Sequence, residues 1–330
     1  MKTVPERLSL QKLSGRNNTL AFPPADQTAS RTLLHTVAKL HYEAELSQVE
    51  IAKRMGLSAA TISRLLQRAR TEGIVRIEVR DLATPGDLVR DLKERLTLKA
   101  AAVVETPSGG RLDALSAPVG DLLRQAGLRP GSVLAIGWGR AVRAVVEAGL
   151  PGLPGTLVVP ATGGMQQHAP HFQVNEFVRM AAEGMGGLPH FIHAPYLPSA
   201  AAREALLEDP TIAASVALWD RVEAAVVGIG LPHAENAPSA SAATPDEQAL
   251  ADAAGDVIRH YFDAAGRPKA WEGERRMIAM STDQLRRAPL VIGVAMGAAK
   301  VGAILGAVRS GLVSALATDT QTAEALLDAA

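Results

Sequence analysis

Two short apolar repeats at helical spacing, separated by a glycine, stand out in residues 48–67. The first is expected to form one buried helical stripe, made of Val49, Ile51, Ala52 and Met55. Gly56 is expected to end this helix, because glycine most easily adopts the positive φ of a helix end. The second repeat is expected to bury Ile62, Leu65 and Leu66. The pattern predicts two helices joined by a tight turn, which is the arrangement that places one helix in the major groove of DNA.

The second helix is expected to contact DNA with the face opposite its apolar stripe. Ser58 is the predicted N-cap, and the side chains of Arg64 and Gln67 have the reach and donor geometry to read G or A. The residues predicted to contact DNA are Ser58, Ala59, Ala60, Thr61, Ser63, Arg64, Gln67 and Arg68. Residues suited to phosphate contacts are Lys53, Arg54, Arg68 and Arg70. The alternative is an ordinary helical hairpin whose basic side chains form a solvated face.

The flanks of this pair predict a further helix and a β-wing. Upstream, apolar residues repeat at about the helical period, namely Leu33, Leu34, Val37, Leu40 and Ala44. Downstream, Glu72-Gly73 is expected to break the second helix, and a short wing is predicted from Ile74, Val75, Ile77 and Val79. The sequence therefore predicts a winged helix-turn-helix domain over residues 29–82, which favours DNA binding over the plain hairpin.

From Ala100 onward, short apolar runs alternate with helical repeats. The predicted strands are Ala101–Val104, Ser132–Ile136, Thr156–Val159, His190–His193, Ala224–Ile229, Met277–Met280, Leu290–Val294 and Val313–Ala317. The predicted helices are Leu112–Gln125, Arg140–Ala148, Val174–Glu183, Ala201–Leu207, Lys300–Arg309 and Thr320–Leu327. Several strands are continuous apolar runs, as in a sheet covered on both faces. The fold class is therefore α/β, with a doubly wound, mostly parallel sheet over residues 100–330.

A linker helix is predicted within residues 83–99, between the two domains. Leu88, Leu92 and Leu96 repeat along it at helical spacing. Such a stripe packs either against a partner subunit or against the rest of the same chain.

Glycine-rich loops follow four of the predicted strands. In open parallel sheets, ligands bind beyond the carboxyl ends of the strands, where such loops meet. The loops are Gly137-Trp138-Gly139-Arg140, Thr162-Gly163-Gly164 with Gln166 beyond, Gly228-Ile229-Gly230, and Met296 to Lys300. A single loop of this kind is usually just a tight turn. Four at one edge, two of them carrying a cation, favour a binding site for an anion or a polar ligand.

Composition and charge agree with two functional parts. The 330 residues carry no net charge, yet basic residues outnumber acidic ones in the first 80, as expected when one end meets a polyanion. The absence of cysteine excludes disulfides and thiolate metal sites. No apolar run reaches about 18 residues and no signal core is present, so a soluble cytoplasmic protein is expected. Residues 1–28 are expected to form a disordered arm.

Together these residues resemble the SorC-type (DeoR-like) sugar-binding transcriptional regulators. The resemblance spans about residues 31–330 and rests on SQVEIAKRMGLSAATISRLLQRARTEGIV, AIGWGR, VPATGG, APYLPSA, VGIGLP, AGDVIRHYFDAAGR and the closing VIGVAMGAAKVGAILGAVRSGLVSALATD. It implies an effector domain related to sugar-phosphate isomerases, usually tetrameric, in which a sugar or its phosphate changes the affinity for an operator. The pocket that the family motifs imply consists of Gly137, Trp138, Gly139, Arg140, Thr162, Gly163, Gly164, Asp256 and Lys300. Gln166 is added to this set because it lies just beyond the Thr162-Gly163-Gly164 loop.

The chain departs from the family pattern in the phosphate loop. Ala141 follows Arg140, where related loops usually place Ser or Thr, so one hydroxyl ligand is missing. An unphosphorylated sugar or polyol therefore stands beside a sugar phosphate as the predicted effector. Independently of the family, Lys300 can reach a phosphate or hydroxyl oxygen, and Asp256 can accept from vicinal hydroxyls. The alternatives are a solvated helix start for Lys300 and a structural cap for Asp256.

Neither a metal, a cofactor nor a catalytic residue is predicted. His168 and His171 are close in sequence, but no acidic partner shares their segment at helical spacing. The competing interpretation is a sugar-phosphate isomerase or deaminase with a fused DNA-binding head, for which Asp256 is the one candidate base. A sigma-factor-like unit would share the helix pair but not the large α/β domain. The predicted protein is a homo-oligomer, dimer or tetramer, in which effector binding shifts the spacing of paired recognition helices on a double-stranded operator.

Overall fold

The computed structural model describes residues 31–76, 84–106, 110–165, 170–231, 243–250 and 252–330. The chain divides into two compact units, Met1–Leu82 and Ala83–Ala330. The predicted arm over residues 1–28 and the wing residues Ile77 and Val79 lie outside the described ranges.

In the described part of the first unit, residues 31–76, three helices surround a small apolar core. They are α1 (Arg31–Tyr42), α2 (Gln48–Met55) and α3 (Ala59–Thr71). Fully buried residues from all three helices meet in this core, namely Leu34, Val37, Ile51, Ile62 and Leu66. The predicted helix-turn-helix and the bracing helix before it are confirmed.

Local capping explains where the helices of this unit begin and end. Ser47 and Glu50 form a capping box at the start of α2, and Gly56 ends that helix with a φ of 67°. Ser58 caps α3 by accepting from the backbone N–H of Thr61. After α3, the predicted wing residues Ile74 and Val75 form a turn, half-buried against the helical core.

The predicted burial of Val49 is wrong. Its side chain is 68% exposed, whereas Ile51 and Ala52 are buried. Successive helical residues are about 100° apart, so Val49 lies some 200° from Ile51, on the opposite side of α2. At Val49, an apolar residue type therefore does not indicate burial in the core.

A seven-stranded parallel sheet forms the centre of the second unit. Its strands are β1 (Ala100–Val104), β2 (Val133–Ile136), β3 (Leu157–Pro160), β4 (Leu188–Pro189), β5 (Val222–Gly228), β9 (Leu290–Val294) and β10 (Ala315–Asp319). They are arranged in the order β1-β10-β9-β5-β2-β3-β4, and every pairing is parallel. The predicted doubly wound α/β fold is confirmed.

Helices cover both faces of this sheet. The helices described in this unit, not all of which lie on the sheet, are α4 (Pro85–Arg95), α5 (Ser116–Gln125), α6 (Arg140–Ala148), α7 (Val174–Met185), α8 (Ala200–Glu208), α9 (Pro210–Ala217), α10 (Pro245–Gln248), α11 (Thr282–Arg287), α12 (Val301–Arg309) and α13 (Thr320–Ala329). Alternate strand residues face different cores: Val133 and Ala135 contribute to one, Leu134 and Ile136 to the other. This alternation explains why the strand is a continuous apolar run. None of the helices in the described ranges is both long and apolar enough to cross a membrane.

The predicted linker helix, α4, packs within its own chain. Thr84 caps it, and Pro85 occupies the first turn. Leu88 and Leu92 are buried in the same core as one face of the sheet. Of the two alternatives for this apolar stripe, the structure shows the seam within the chain.

A small antiparallel sheet was not predicted. It consists of β6 (Gly255–Val257), β7 (His260–Phe262) and β8 (Pro268–Lys269). Ile258 and Arg259 join β6 to β7 with φ angles of 43° and 69°. Turns with two positive φ angles favour Asn-Gly, so the sequence gives no signal for this hairpin.

The predicted strand His190–His193 is wrong. The edge strand β4 is shorter and ends at Pro189. The side-chain amide of Asn175 donates to the carbonyl of Ile192 at 3.1 Å and accepts from its N–H at 3.2 Å. This amide therefore takes the place of a neighbouring strand.

The predicted strand Met277–Met280 is also wrong. Its only pairing among the described residues is an isolated bridge between Thr162 and Ala279. Ile278 donates to the carbonyl of Tyr196, and Met280 donates to that of Ala161. The apolar alternation here reflects burial against loops rather than membership of a sheet.

Candidate functional site

The outward face of α3 carries the residues predicted to contact DNA. Ser58, Ala59, Ala60, Ser63, Arg64 and Gln67 are exposed, while Thr61 and Arg68 are half-buried. The hydroxyls of Ser58 and Thr61 lie 2.8 Å apart and serve the helix cap. Arg68 donates to Glu72 from Nε and Nη2 at 3.2 and 2.8 Å. Within the described part of the chain, no side-chain hydrogen bond occupies Arg64 or Gln67, so these long donors are available to a ligand.

The loop after β2 leads directly into α6. Gly139 has a φ of 116° and donates its N–H to the carbonyl of His171. Arg140 is the first residue of α6, whose first turn has backbone N–H groups without partners in the helix. The loop thus combines a helix amino terminus with a cation, as the sequence predicts for Gly137 to Arg140.

Trp138 forms an aromatic wall at this edge of the sheet. Its ring makes edge contacts with Phe172 and Tyr196, with centroids 6.0 and 5.2 Å away. The guanidinium carbon of Arg259 lies 5.8 Å from its centroid. Trp138 is itself buried.

The Thr162–Gly164 loop is held by backbone hydrogen bonds. Gly163 donates to the carbonyl of Ile278 at 2.7 Å, and Gly164 donates to that of Ala194 at 2.8 Å. A Cβ on Gly163 would lie 2.6 Å from Ala194 O, so close packing requires glycine there. In this arrangement the two N–H groups are already occupied, and Thr162 is buried. Gln166 lies outside the described residues.

Asp256 lies in β6, beside the end of β5. Its Oδ2 accepts from the backbone N–H of Arg259 at 2.9 Å. Gly230 and Asp256 form a backbone bridge, and a Cβ on Gly230 would lie 1.8 Å from Oδ1. The carboxylate is therefore fixed from two sides.

Lys300 precedes α12, and its ammonium group donates to the carbonyl of Ile229. Burial lowers the pKa of Lys300, the positive charge of Arg140 lowers it further, and the negative charge of Asp256 opposes the shift. Lys300 therefore lies within electrostatic reach of both Arg140 and Asp256, and Lys300 and Asp256 contact the neighbouring residues Ile229 and Gly230. Burial, followed by Arg140 and Arg143, likewise lowers the pKa of His171.

A buried polar cluster behind Trp138 was missed in the sequence. Glu247 Oε1 accepts from the hydroxyl of Tyr261 at 2.9 Å and lies 3.3 Å from Arg259 Nη1. Its Oε2 accepts from the N–H of Thr244 at 2.7 Å and from the hydroxyl of Tyr196 at 3.4 Å. Burial raises the pKa of both tyrosines, so they remain protonated donors. The Thr244–Glu247 capping box was a detectable signal, but nothing local connects it with Arg259.

His260 makes further contacts that anchor the hairpin. The ring nitrogens of His260 lie 3.0 Å from Glu274 Oε1 and 2.8 Å from the carbonyl of Met280. His171 contacts Phe172, while His168 lies outside the described residues. In the part of the chain that the structure describes, no group of three or more histidine or acidic side chains could hold a metal ion.

Comparisons with known proteins match both units. The family model "Putative sugar-binding domain" matches residues 81–328, and "Sigma-70, region 4" matches residues 39–72. The sorbitol operon regulator of Klebsiella pneumoniae is 31% identical over 307 residues, covering 89% of this chain and 97% of that protein. The transcriptional regulator LsrR of Klebsiella pneumoniae subsp. pneumoniae is 28% identical, covering 91% and 94%. The crystal structure of full-length SorC from Klebsiella pneumoniae gives a TM-score of 0.67 at 31% identity, covering 90% and 98%.

A helix-turn-helix followed by a sugar-binding α/β domain defines a DNA-binding transcriptional regulator. The relatives are regulators rather than enzymes, so the prediction of a regulator without enzymatic activity is confirmed. The chain belongs to the SorC family of sugar-binding transcriptional regulators.

Proposed function

We propose that the chain binds an operator through α3 and that a small carbohydrate at the carboxyl edge of the seven-stranded sheet changes its operator affinity. The convergence of Arg140, Asp256 and Lys300 beside Trp138 carries this proposal. These residues combine two cations, one carboxylate and an aromatic wall, a set that suits hydroxyl-rich ligands. The name of the sorbitol operon regulator supports a sugar, a polyol or a sugar phosphate as the class of effector.

Arg64 and Gln67 are proposed to read base edges. They are exposed and three residues apart on α3, about 4.5 Å along the helix axis, so their long side chains can reach neighbouring base pairs. The remaining residues of the interface are Ser58, Ala59, Ala60, Thr61, Ser63 and Arg68. Arg68 would have to leave Glu72 to reach a phosphate, since the two are paired in the free chain.

The effector pocket is proposed to consist of the sequence-predicted loops. Asp256 would accept hydrogen bonds from vicinal hydroxyls, and Arg140 and Lys300 would bind a phosphate or further hydroxyls. The full proposed set is Gly137, Trp138, Gly139, Arg140, Thr162, Gly163, Gly164, Gln166, Asp256 and Lys300. For Lys300 to bind a ligand, its ammonium group would exchange the carbonyl of Ile229 for a ligand oxygen.

The regulatory unit is proposed to be a cytoplasmic homo-oligomer, a dimer or a tetramer. Residues 29–82 would bind DNA, residues 83–99 would link the domains, and residues 100–330 would bind effector and form subunit contacts. Effector binding must favour one of two conformers with different operator affinity. A coupling of roughly 1–3 kcal/mol would change operator affinity about 5- to 150-fold.

The test uses an operator selected from a randomised duplex pool by the full-length protein. Fluorescence anisotropy then measures operator affinity alone and with each member of a panel of sugars, polyols and their phosphates, including sorbitol and sorbitol 6-phosphate. At least one member should change operator affinity. Arg64→Ala should abolish selective operator binding, because it removes an exposed arginine without a side-chain hydrogen bond from the proposed DNA-contacting face of α3.

Arg124→Ala is the matched control for this experiment. Arg124 is an exposed arginine of α5, in the second unit, and it pairs with Asp121. Its removal should leave operator affinity unchanged. Equal operator affinities of the Arg64→Ala and wild-type proteins would refute the DNA-binding assignment. Unchanged operator affinity with every panel member would refute the effector assignment.

A further inference from the structure

A buried ion pair lies directly behind the aromatic wall of the proposed pocket. The side chains of Glu247 and Arg259 are 0% and 4% exposed, and 3.3 Å separate Glu247 Oε1 from Arg259 Nη1. Burying two charges is costly, and apolar residues of similar volume are often as stable or more stable at such positions. Stability alone therefore does not explain the pair.

Two contacts lead from Arg259 to residues of the pocket. Its guanidinium carbon lies 5.8 Å from the centroid of the Trp138 ring, which is within cation–π distance. Its backbone N–H donates to Asp256 Oδ2 at 2.9 Å. A single residue thus holds the aromatic wall with its side chain and the carboxylate with its backbone.

The conformation that permits both contacts is itself unfavourable. Ile258 and Arg259 have φ angles of 43° and 69°, a region that non-glycine residues rarely occupy and that is worst for β-branched side chains. Trp271 Nε1 donates to the carbonyl of Arg259 at 3.2 Å and helps to hold the turn. Backbone strain of this kind persists where the surrounding structure enforces it, and it concentrates at functional sites.

We propose that the Glu247–Arg259 pair is a positioning device of the effector pocket: Glu247 fixes the guanidinium of Arg259, and Arg259 sets the positions of Trp138 and the Asp256 carboxylate. This inference rests on the proposed function, because it takes Trp138 and Asp256 as pocket residues. Arg259 itself does not touch the effector. Its charge is balanced by Glu247, so the cations that meet the effector are Arg140 and Lys300.

The test compares variants of the full-length chain that remove the device in different ways. Arg259→Met leaves Glu247 buried without its partner, so the double variant Glu247→Gln, Arg259→Met removes both charges together. Arg259→Lys keeps a cation beside Trp138. Arg203→Met is the matched control, because Arg203 donates to the carbonyl of Met277 in the same unit. Circular dichroism and thermal unfolding establish that each variant is folded.

Two readouts separate positioning from mere folding. The first is acrylamide quenching of Trp138 fluorescence, obtained by subtracting the signal of matched Trp138→Phe proteins. Quenching should rise in both Arg259→Met proteins, should return toward wild type in Arg259→Lys, and should be unchanged in Arg203→Met. The second readout is affinity for sorbitol and sorbitol 6-phosphate by calorimetry, which should fall about tenfold, or ~1.4 kcal/mol, in the folded double variant.

Unchanged Trp138 quenching in the folded double variant would overturn the inference. The proposed pocket is tested separately by Trp138→Phe and Asp256→Asn. If these two substitutions leave carbohydrate affinity unchanged, the proposed pocket is wrong. The quenching result still tests whether the Glu247–Arg259 pair positions Trp138. If they weaken carbohydrate binding and the double variant does not, the pocket stands and the positioning role of Glu247–Arg259 is wrong.

Discussion

Gly230→Ala should destabilise the α/β unit through a single steric contact. The added methyl group would lie 1.8 Å from Asp256 Oδ1 and 2.8 Å from its Cγ. Gly230 does not have a positive φ, so the alanine backbone is itself unstrained. The carboxylate must move away, and it then loses the hydrogen bond from Arg259 N. Overpacking costs about 1–3 kcal/mol, and losing a hydrogen bond to a charged group costs roughly 1.5–3 kcal/mol, so a loss near ~3 kcal/mol is expected.

The assays for Gly230→Ala are urea unfolding and thermal unfolding, both followed by tryptophan fluorescence. All three tryptophans lie in the second unit, so the signal reports that unit. A loss of ~3 kcal/mol should lower Tm by roughly 6–12 °C in a unit of this size. Gly184→Ala is the matched control: Gly184 lies in α7 with open space around it, and alanine there should stabilise by about 0.5–1 kcal/mol. An unfolding free energy of Gly230→Ala within about 0.5 kcal/mol of wild type would refute the reasoning.

Three further predictions test other parts of the structure. Val49→Ser should change the unfolding free energy by less than about 0.5 kcal/mol in chemical denaturation, because Val49 is exposed. A loss of about 2 kcal/mol or more would contradict this. Lys300→Met should remove the effector response in the anisotropy assay. Burial lowers the pKa of Lys300 from its ordinary 10.5, so the folded protein releases this proton at a lower pH than the unfolded chain. The stability of the wild type relative to Lys300→Met should therefore rise from neutral pH toward 10.5. A fall in relative stability across that range, measured by urea titrations, would contradict this expectation. Replacing Ile258-Arg259 by Asn-Gly should relieve the strained turn yet weaken carbohydrate binding, and undiminished binding by calorimetry would contradict the role of Arg259.

The helix-turn-helix was predictable because its determinants are local. Gly56 and Ser58 set the corner through backbone conformation and capping, both of which depend on neighbouring residues only. Apolar spacing then gives the buried faces, and it failed at Val49, where the spacing to Ile51 was not helical. In the sheet, apolar runs correctly marked burial. They did not mark pairing, since the Asn175 amide replaces a strand beside Ile192.

The candidate pocket was predictable in part for a topological reason. Parallel strands bring their carboxyl ends to one edge, so loops distant in sequence, such as those containing Arg140 and Lys300, were expected to converge. Glu247 and Arg259 were not predictable in the same way. Their contact depends on a hairpin turn formed by Ile258 and Arg259, whose residue types give no turn signal.

Departures from local rules coincide at the wall formed by Trp138 and Asp256. The turn at Arg259 occupies a backbone region that its residue types disfavour, and a charged pair is buried where apolar residues would pack at lower cost. Sequences generally satisfy such rules throughout the fold and violate them where function demands a particular geometry. Both violations meet at Arg259, and Arg259 contacts two residues of the proposed pocket. The free-energy cost of the strained turn and the buried charges is therefore better explained by ligand binding than by folding.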